Sequence, residues 1–176
     1  MADRASRDSS GDFARVVEAH WGTVYRLLAR LTGNRHDADE LTQETFLRAL
    51  ARWESFTAGT NLRAWLLRIA SNLFLDEARR RKRRPTVVAS EDVSSPAQLP
   101  GAELESREQA ALARAALEAL GETTRLVFHL RVTEELSFRE IGAIARVSEE
   151  AARWHMHQAR TKLLERLRDP DDEKCS

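Results

Sequence analysis

Trp65-Leu-Leu-Arg-Ile-Ala-Ser-Asn72-Leu-Phe-Leu-Asp76-Glu-Ala-Arg79-Arg80-Arg81-Lys82-Arg83-Arg84 reads as an amphipathic helix ending in six consecutive cations. At about 100° per residue, Trp65, Asn72, Asp76, Arg79, Arg80 and Arg83 fall within an arc of about 100°. Leu66, Ala70 and Leu73 centre on the neighbouring face, so one side is built for a core and the other for a partner. A stripe that mixes Asn, Asp and Arg with an aromatic suits bases as well as phosphates. The cationic end adds a salt-sensitive attraction to nucleic acid. Pro85 closes the helix, because proline disfavours helical geometry in the residue before it.

Upstream, residues 1–11 are polar and are expected to be disordered. Asp12 is placed to cap a helix carrying Phe13, Val16, Val17, Val24, Leu27, Leu28 and Leu31, which Gly33-Asn34 stops. A second helix from about Asp37 sets Ala38, Leu41, Thr45, Leu50 and Trp53 along one side. Thr57–Asn61 is a loop, and the helix quoted above starts near Leu62. Downstream, residues 85–106 are rich in Ser, Pro and acidic side chains, have no period, and read as a linker. A second helical set occupies 107–168. Leu112, Ala116 and Leu120 mark its first helix, and Leu126, Val127 and Leu130 its second. Ser137-x-x-Glu140 is a capping box for a third helix and Ser148 a cap for a fourth, which runs to about Leu167. Residues 169–176 form a polar tail. The expected fold class is all-α: two small helical domains joined by a flexible linker.

The 176 residues carry no net charge, yet the charge is distributed in blocks. Residues 1–84 hold 16 basic and 11 acidic side chains, 85–106 hold none and four, and 107–176 hold 12 and 13. That pattern points to nucleic acid at the first block where the global balance is silent. Cys175 is the only cysteine, so neither an intrachain disulfide nor a cysteine-based zinc site can be built. No apolar run is long enough to span a membrane and the N-terminus is not signal-like, which predicts a cytoplasmic protein without membrane insertion.

Two metal readings fail on spacing. The carboxylates Asp37, Asp39, Glu40 and Glu44 suit a hard cation, but no second ligand-bearing helix accompanies them. His155 and His157, two residues apart on a helix, point to different sides. No cofactor and no catalytic set is therefore expected.

With these residues in view, Asp37-Ala-Asp39-Glu40-Leu41-Thr-Gln43-Glu44-Thr-Phe46, followed by Trp65-Leu-x-x-Ile-Ala-x-Asn72-x-x-x-Asp76-x-x-Arg79-Arg80, resembles region 2 of the extracytoplasmic-function (ECF) sigma factors of bacterial RNA polymerase. Leu120-Gly-Glu-Thr-Thr-Arg125-Leu-Val-Phe128-x-Leu130 and Leu136-Ser137-Phe-Arg-Glu140-Ile141-Gly-x-Ile144-Ala-x-Val147-Ser148 resemble region 4, a helix-turn-helix. The resemblance implies that Asp37, Asp39, Glu40, Leu41, Gln43, Glu44 and Phe46 dock on the clamp of core RNA polymerase, whose flap region is a further contact. It implies that Asn72, Asp76, Arg79 and Arg80, with Trp65 and Arg83 on the same arc, engage the minus-ten promoter element. The loop from Phe56 to Asn61 would hold a flipped base. Region 4 would bind the minus-thirty-five element, and an anti-sigma factor is an implied partner.

A recognition helix reads the major groove with its N-terminal residues. Ala152, Met156, Ala159 and Leu163 form the expected buried seam of the last helix. Arg153, Trp154, His157 and Gln158 face away, with Arg160 at the margin, as the expected duplex-reading set. Ser148 and nearby N–H groups can hold a phosphate at the helix start. The segment departs from the family here: Trp154 stands for a small polar residue, His155 for a cationic one, and Gly121 where proline is common. The competing reading is a helix-turn-helix regulator that binds duplex DNA without polymerase.

Overall fold

The computed structural model describes the backbone of residues 2–57, 59–83 and 104–172, and the side chains of 12–57, 59–83 and 111–166. The chain divides into two compact units, residues 1–90 and 91–176. All regular structure among the described residues is helical.

The first unit is a three-helix assembly of α1 (Ala2–Thr32), α2 (Arg35–Ala51) and α3 (Leu62–Arg83), each packed on the other two. Phe13, Val24, Leu27, Leu28 and Leu31 of α1 meet Ala38, Leu41, Phe46 and Ala49 of α2 and Leu66, Leu67, Ala70, Leu73 and Phe74 of α3, all buried. Gly33 ends α1 in the left-handed region (φ 68°), where an L side chain is disfavoured. The Asn34 side chain then accepts the Asp37 N–H at 3.2 Å and caps α2.

Two expectations are corrected in this unit. The first helix begins at Ala2, so Asp12 lies within it and residues 2–11 are helical. That stretch contains no proline, and it extends a helix already nucleated by packing at one hydrogen bond per residue. Leu50 is 49% exposed, and Trp53 leaves the α2 stripe for a 3₁₀ turn, Trp53–Ser55. Trp53 departs at Arg52, whose N–H bonds back to Ala49 O at 3.1 Å, tightening the last turn and rotating the chain that follows.

The second unit consists of α4 (Leu104–Glu118), α5 (Glu122–Val132), α6 (Phe138–Ala145) and α7 (Glu149–Asp172). Its core is Ala116, Leu120, Leu126, Val127, Leu130, Leu136, Ile141, Ile144, Ala152, Met156 and Ala159, and α7 packs on the other three helices. The helical backbone starts at Leu104, inside the expected linker, and runs past Leu167 through Pro170 to Asp172. Helix propagation from a packed segment accounts for the extension at Leu104. Leu112, expected in the core, is 44% exposed.

The α6–α7 turn is the tightest point of this unit. Ser137 and Glu140 complete their capping box, with the Ser137 N–H donating to the Glu140 carboxylate at 2.8 Å and the Glu140 N–H to Ser137 Oγ at 3.3 Å. Arg146 closes α6 in the left-handed region (φ 58°, ψ 44°), and the Val147 N–H reaches back to Gly142 O at 3.0 Å. A non-glycine residue in that conformation is destabilised by about 1–2 kcal/mol. Arg146→Gly is therefore expected to stabilise the second unit by about 1 kcal/mol, the extra unfolded-state freedom of glycine offsetting part of the gain. Denaturant melts of the two proteins check this.

Candidate nucleic-acid interface

On α3 the arc expected to face a partner is open to solvent over most of its length. Asp76, Arg79, Arg80 and Arg83 are exposed and Asn72 is half-buried. The core side of the helix, Leu66 to Leu75, holds these groups in register. Trp65 is different. It is half-buried in an aromatic cluster, 5.1 Å from Phe56 and 6.4 Å from Trp53, while Trp53 stacks on Phe56 at 5.5 Å and meets Phe13 edge-on at 5.2 Å. Phe56 and Trp65 thus anchor the loop to the core with part of each ring left exposed. Asn61 is exposed, and its Oδ1 accepts the Ala64 N–H at 3.0 Å, so it caps α3.

The cationic end of α3 is partly neutralised from within. Arg79 pairs with Asp76 at 3.3 Å, Arg80 with Glu77 at 2.7 Å, and Arg81 with Glu77 at 3.3 Å and Asp37 of α2 at 2.7 Å. The bond to Asp37, then its charge and that of Glu77, raise the pKa of Arg81 against the opposing effect of burial. Exposed pairs of this kind contribute about 0–1 kcal/mol each, so phosphate can displace them. Glu77 and Arg81 escape the wheel-based reading because they lie off its arc, although Glu77 sits three and four residues before Arg80 and Arg81.

Beside this end, Glu40, Leu41, Gln43 and Leu47 of α2 and Glu77 and Arg80 of α3 line a shallow groove. Asp39, Glu40 and Gln43 are exposed, Asp37 and Glu44 half-buried, and Glu44 accepts from Arg48 Nε at 2.7 Å. Leu41 and Phe46 belong to the core instead: Leu41 floors the groove, and Phe46 turns inward to stack on Trp21 at 5.3 Å. The exposed apolar groups on this helix are Leu47, 62% exposed, and Leu50. Sequence reasoning passed over Leu47, since an apolar residue beside a buried stripe carries no signal that it faces outward.

On α7, Ala152, Met156 and Ala159 are buried as the seam, with Leu163 half-buried. Arg153, Trp154, His157 and Arg160 are exposed and Gln158 is half-buried. Ser148 Oγ accepts the Ala151 N–H at 3.0 Å, so it is already engaged as the helix cap. Two carboxylates follow it, Glu149 and Glu150, and they oppose an anion at this helix start. The Arg153 guanidinium pairs with Glu149 and lies over the Phe138 ring of α6, 4.8 Å from its centroid.

His155 is not an outward group. Its Nδ1 and Thr124 Oγ1 of α5 are hydrogen-bonded at 2.9 Å, and burial lowers its pKa below the ordinary 6.5. The unfolded chain then binds more protons than the folded one as pH falls through 6.5. The contribution is nil well above that value, where both states are neutral, and it becomes destabilising below. Between pH 7.5 and 5 the second unit is expected to lose stability more steeply than His155→Gln, which keeps a partner for Thr124. Paired urea melts across that range measure the difference.

Among the described residues, no three His, Cys, Asp or Glu side chains are gathered for a metal ion, and no helix is long and apolar enough to cross a membrane. Residues 16–84 match the Sigma-70 region 2 family and residues 116–165 match Sigma-70, region 4. The chain is 31% identical over 169 residues to the ECF RNA polymerase sigma factor SigW of Bacillus subtilis, covering 89% of each protein. This chain belongs to the ECF RNA polymerase sigma factors. It is 40% identical over 170 residues to SigE of Mycolicibacterium smegmatis, spanning 91% of this chain and 65% of that relative. The sigma factor also resembles RpoE of Bartonella quintana, solved with the anti-sigma factor NepR, at a TM-score of 0.75 and 25% identity over 90% of this chain and 98% of that one. It is similar to CnrH, solved with the cytosolic domain of CnrY, at 0.64 and 26% over 93% and 94%. Family membership favours polymerase-directed initiation over the competing regulator that acts on duplex DNA alone.

Proposed function

We propose that this sigma factor, without chemistry of its own, directs core RNA polymerase to a two-part promoter from the cytoplasm. The outer face of α3 would engage the opened minus-ten element, with Asn72 and Asp76 reading bases and Arg79, Arg80 and Arg83 holding phosphates. The loop between Phe56 and Asn61 would receive an unstacked base against the half-exposed rings of Phe56 and Trp65. The exposed face of α7, with Arg153, Trp154, His157, Gln158 and Arg160, would read the minus-thirty-five duplex. The α2 groove, bearing Asp37, Asp39, Glu40, Gln43 and Glu44 over Leu41, would dock on the polymerase clamp, with Phe46 supporting it from the core. The complexes of RpoE with NepR and of CnrH with CnrY support an anti-sigma factor as a further partner.

The observation that carries this reading is the exposed arc from Asp76 to Arg83, continued by the half-buried Asn72, next to the α2 groove within one family-matched unit. Leu47 and Leu50, both exposed on α2 beside this groove, offer apolar surface that a docking partner can cover. Leu47→Asp is expected to weaken association with bacterial core polymerase at least about ten-fold, as loss of an interface anchor does. Its side chain is largely in solvent, so the thermal transition should stay in place. Unchanged association in a binding titration would remove α2 from the docking surface.

A further inference from the structure

Trp154 is the one large aromatic of the second unit that stands mostly in solvent, at 56% exposure, among the described residues. It is not loosely placed. Its indole meets the His155 imidazole edge-on, with centroids 5.0 Å apart, and that imidazole is tied to Thr124 of α5 at 2.9 Å. One half-buried side chain thus supports the next, and the indole projects from the first turns of α7. Its neighbours on the helical face are mostly polar: Glu150, His157, Gln158 and Thr161, none of them buried, with the half-buried Ala151 methyl the one apolar group beside it. An isolated aromatic ringed by hydrogen-bonding groups is a poor centre for a protein interface, which needs a contiguous apolar patch. It matches the major groove, where each base edge offers donors and acceptors and the apolar feature is the thymine C5-methyl group.

Resting on the placement of α7 in the minus-thirty-five major groove, we infer that Trp154 reads a thymine there through its C5-methyl group. His155 and Thr124 act as positioning residues for the indole. Gln158, one turn further along, is placed to address a base edge beside that thymine. A longer charged side chain at position 155 would snorkel to solvent and leave the indole unsupported.

The test uses holoenzyme assembled with the full chain on a promoter it transcribes. Each thymine of the minus-thirty-five element, on either strand, is replaced singly by deoxyuridine, which removes only the methyl group. The expected result is one position at which binding falls about four-fold, the worth of one buried methyl. That ratio should collapse to one in Trp154→Ala and fall part-way in His155→Ala, while discrimination at the other base pairs is retained. The inference is overturned if no position responds to deoxyuridine, which needs no variant to be seen, or if the response survives in Trp154→Ala. Indifference to deoxyuridine with initiation intact contradicts this inference alone and leaves Trp154 to a protein contact. A chain that starts no transcripts contradicts the reading beneath it as well.

Discussion

Gly142→Ala is expected to unfold the second unit, or bring it close to unfolding, while the first unit melts unchanged. A Cβ built on Gly142 would lie 2.8 Å from the Val147 carbonyl oxygen and 3.4 Å from the Glu149 amide nitrogen. These are backbone atoms of the turn into α7, and no side-chain rotation can clear them. The turn has little room to give, because the Val147 N–H is bonded to Gly142 O and Arg146 already occupies a left-handed conformation. Overpacking of this kind destabilises by about 1–3 kcal/mol or more. A helical unit of this size has only a modest reserve of stability. In differential scanning calorimetry the second-unit transition should fall by at least about 5 °C, given the small entropy of unfolding of such a unit. Two transitions that move together would mean that the units are not independent in folding.

The second large effect is on initiation. Asn72→Ala/Asp76→Ala removes two side chains on the outer face of α3 and leaves Leu66, Leu73 and the rest of its core side untouched. Two base contacts worth about 1–3 kcal/mol each correspond to a loss of about a hundred-fold in promoter opening. Core association should persist, since the α2 groove is intact. The substitution also frees Arg79 from Asp76, which favours phosphate contact. Residual binding to promoter duplex is therefore expected to survive while opening fails, and permanganate footprinting of unpaired thymines separates the two.

The helices were legible wherever an apolar period coincided with a local stop. Gly33-Asn34 shows this, as do the Ser137–Glu140 box and the seam of Ala152, Met156 and Ala159. Side-chain partners across elements were less legible. Trp53 reads as one more apolar position of α2, and only the tightened turn at Arg52 sends it onto Phe13 and Phe56. Leu41 and Phe46 lie within a motif whose Asp39 and Glu40 face solvent, and a motif does not say which of its members are inward. The cationic run looks like unopposed charge in one dimension. In the fold Asp37, distant in sequence, comes within 2.7 Å of Arg81. His155 looks like a lost cation until Thr124 is seen beside it. In each case the missing information is a tertiary contact, which periodicity cannot carry.

The chain is proposed to give core RNA polymerase promoter selectivity through the outer faces of α3 and α7. The most direct measurement is run-off transcription with bacterial core polymerase on a randomised promoter library, with the chain, without it, and with Asn72→Ala/Asp76→Ala. Transcripts are expected that depend on the chain, share two sequence elements, and disappear in the double variant. Transcripts equal in all three reactions, or a chain that binds selected duplex while never joining the polymerase, would contradict that role.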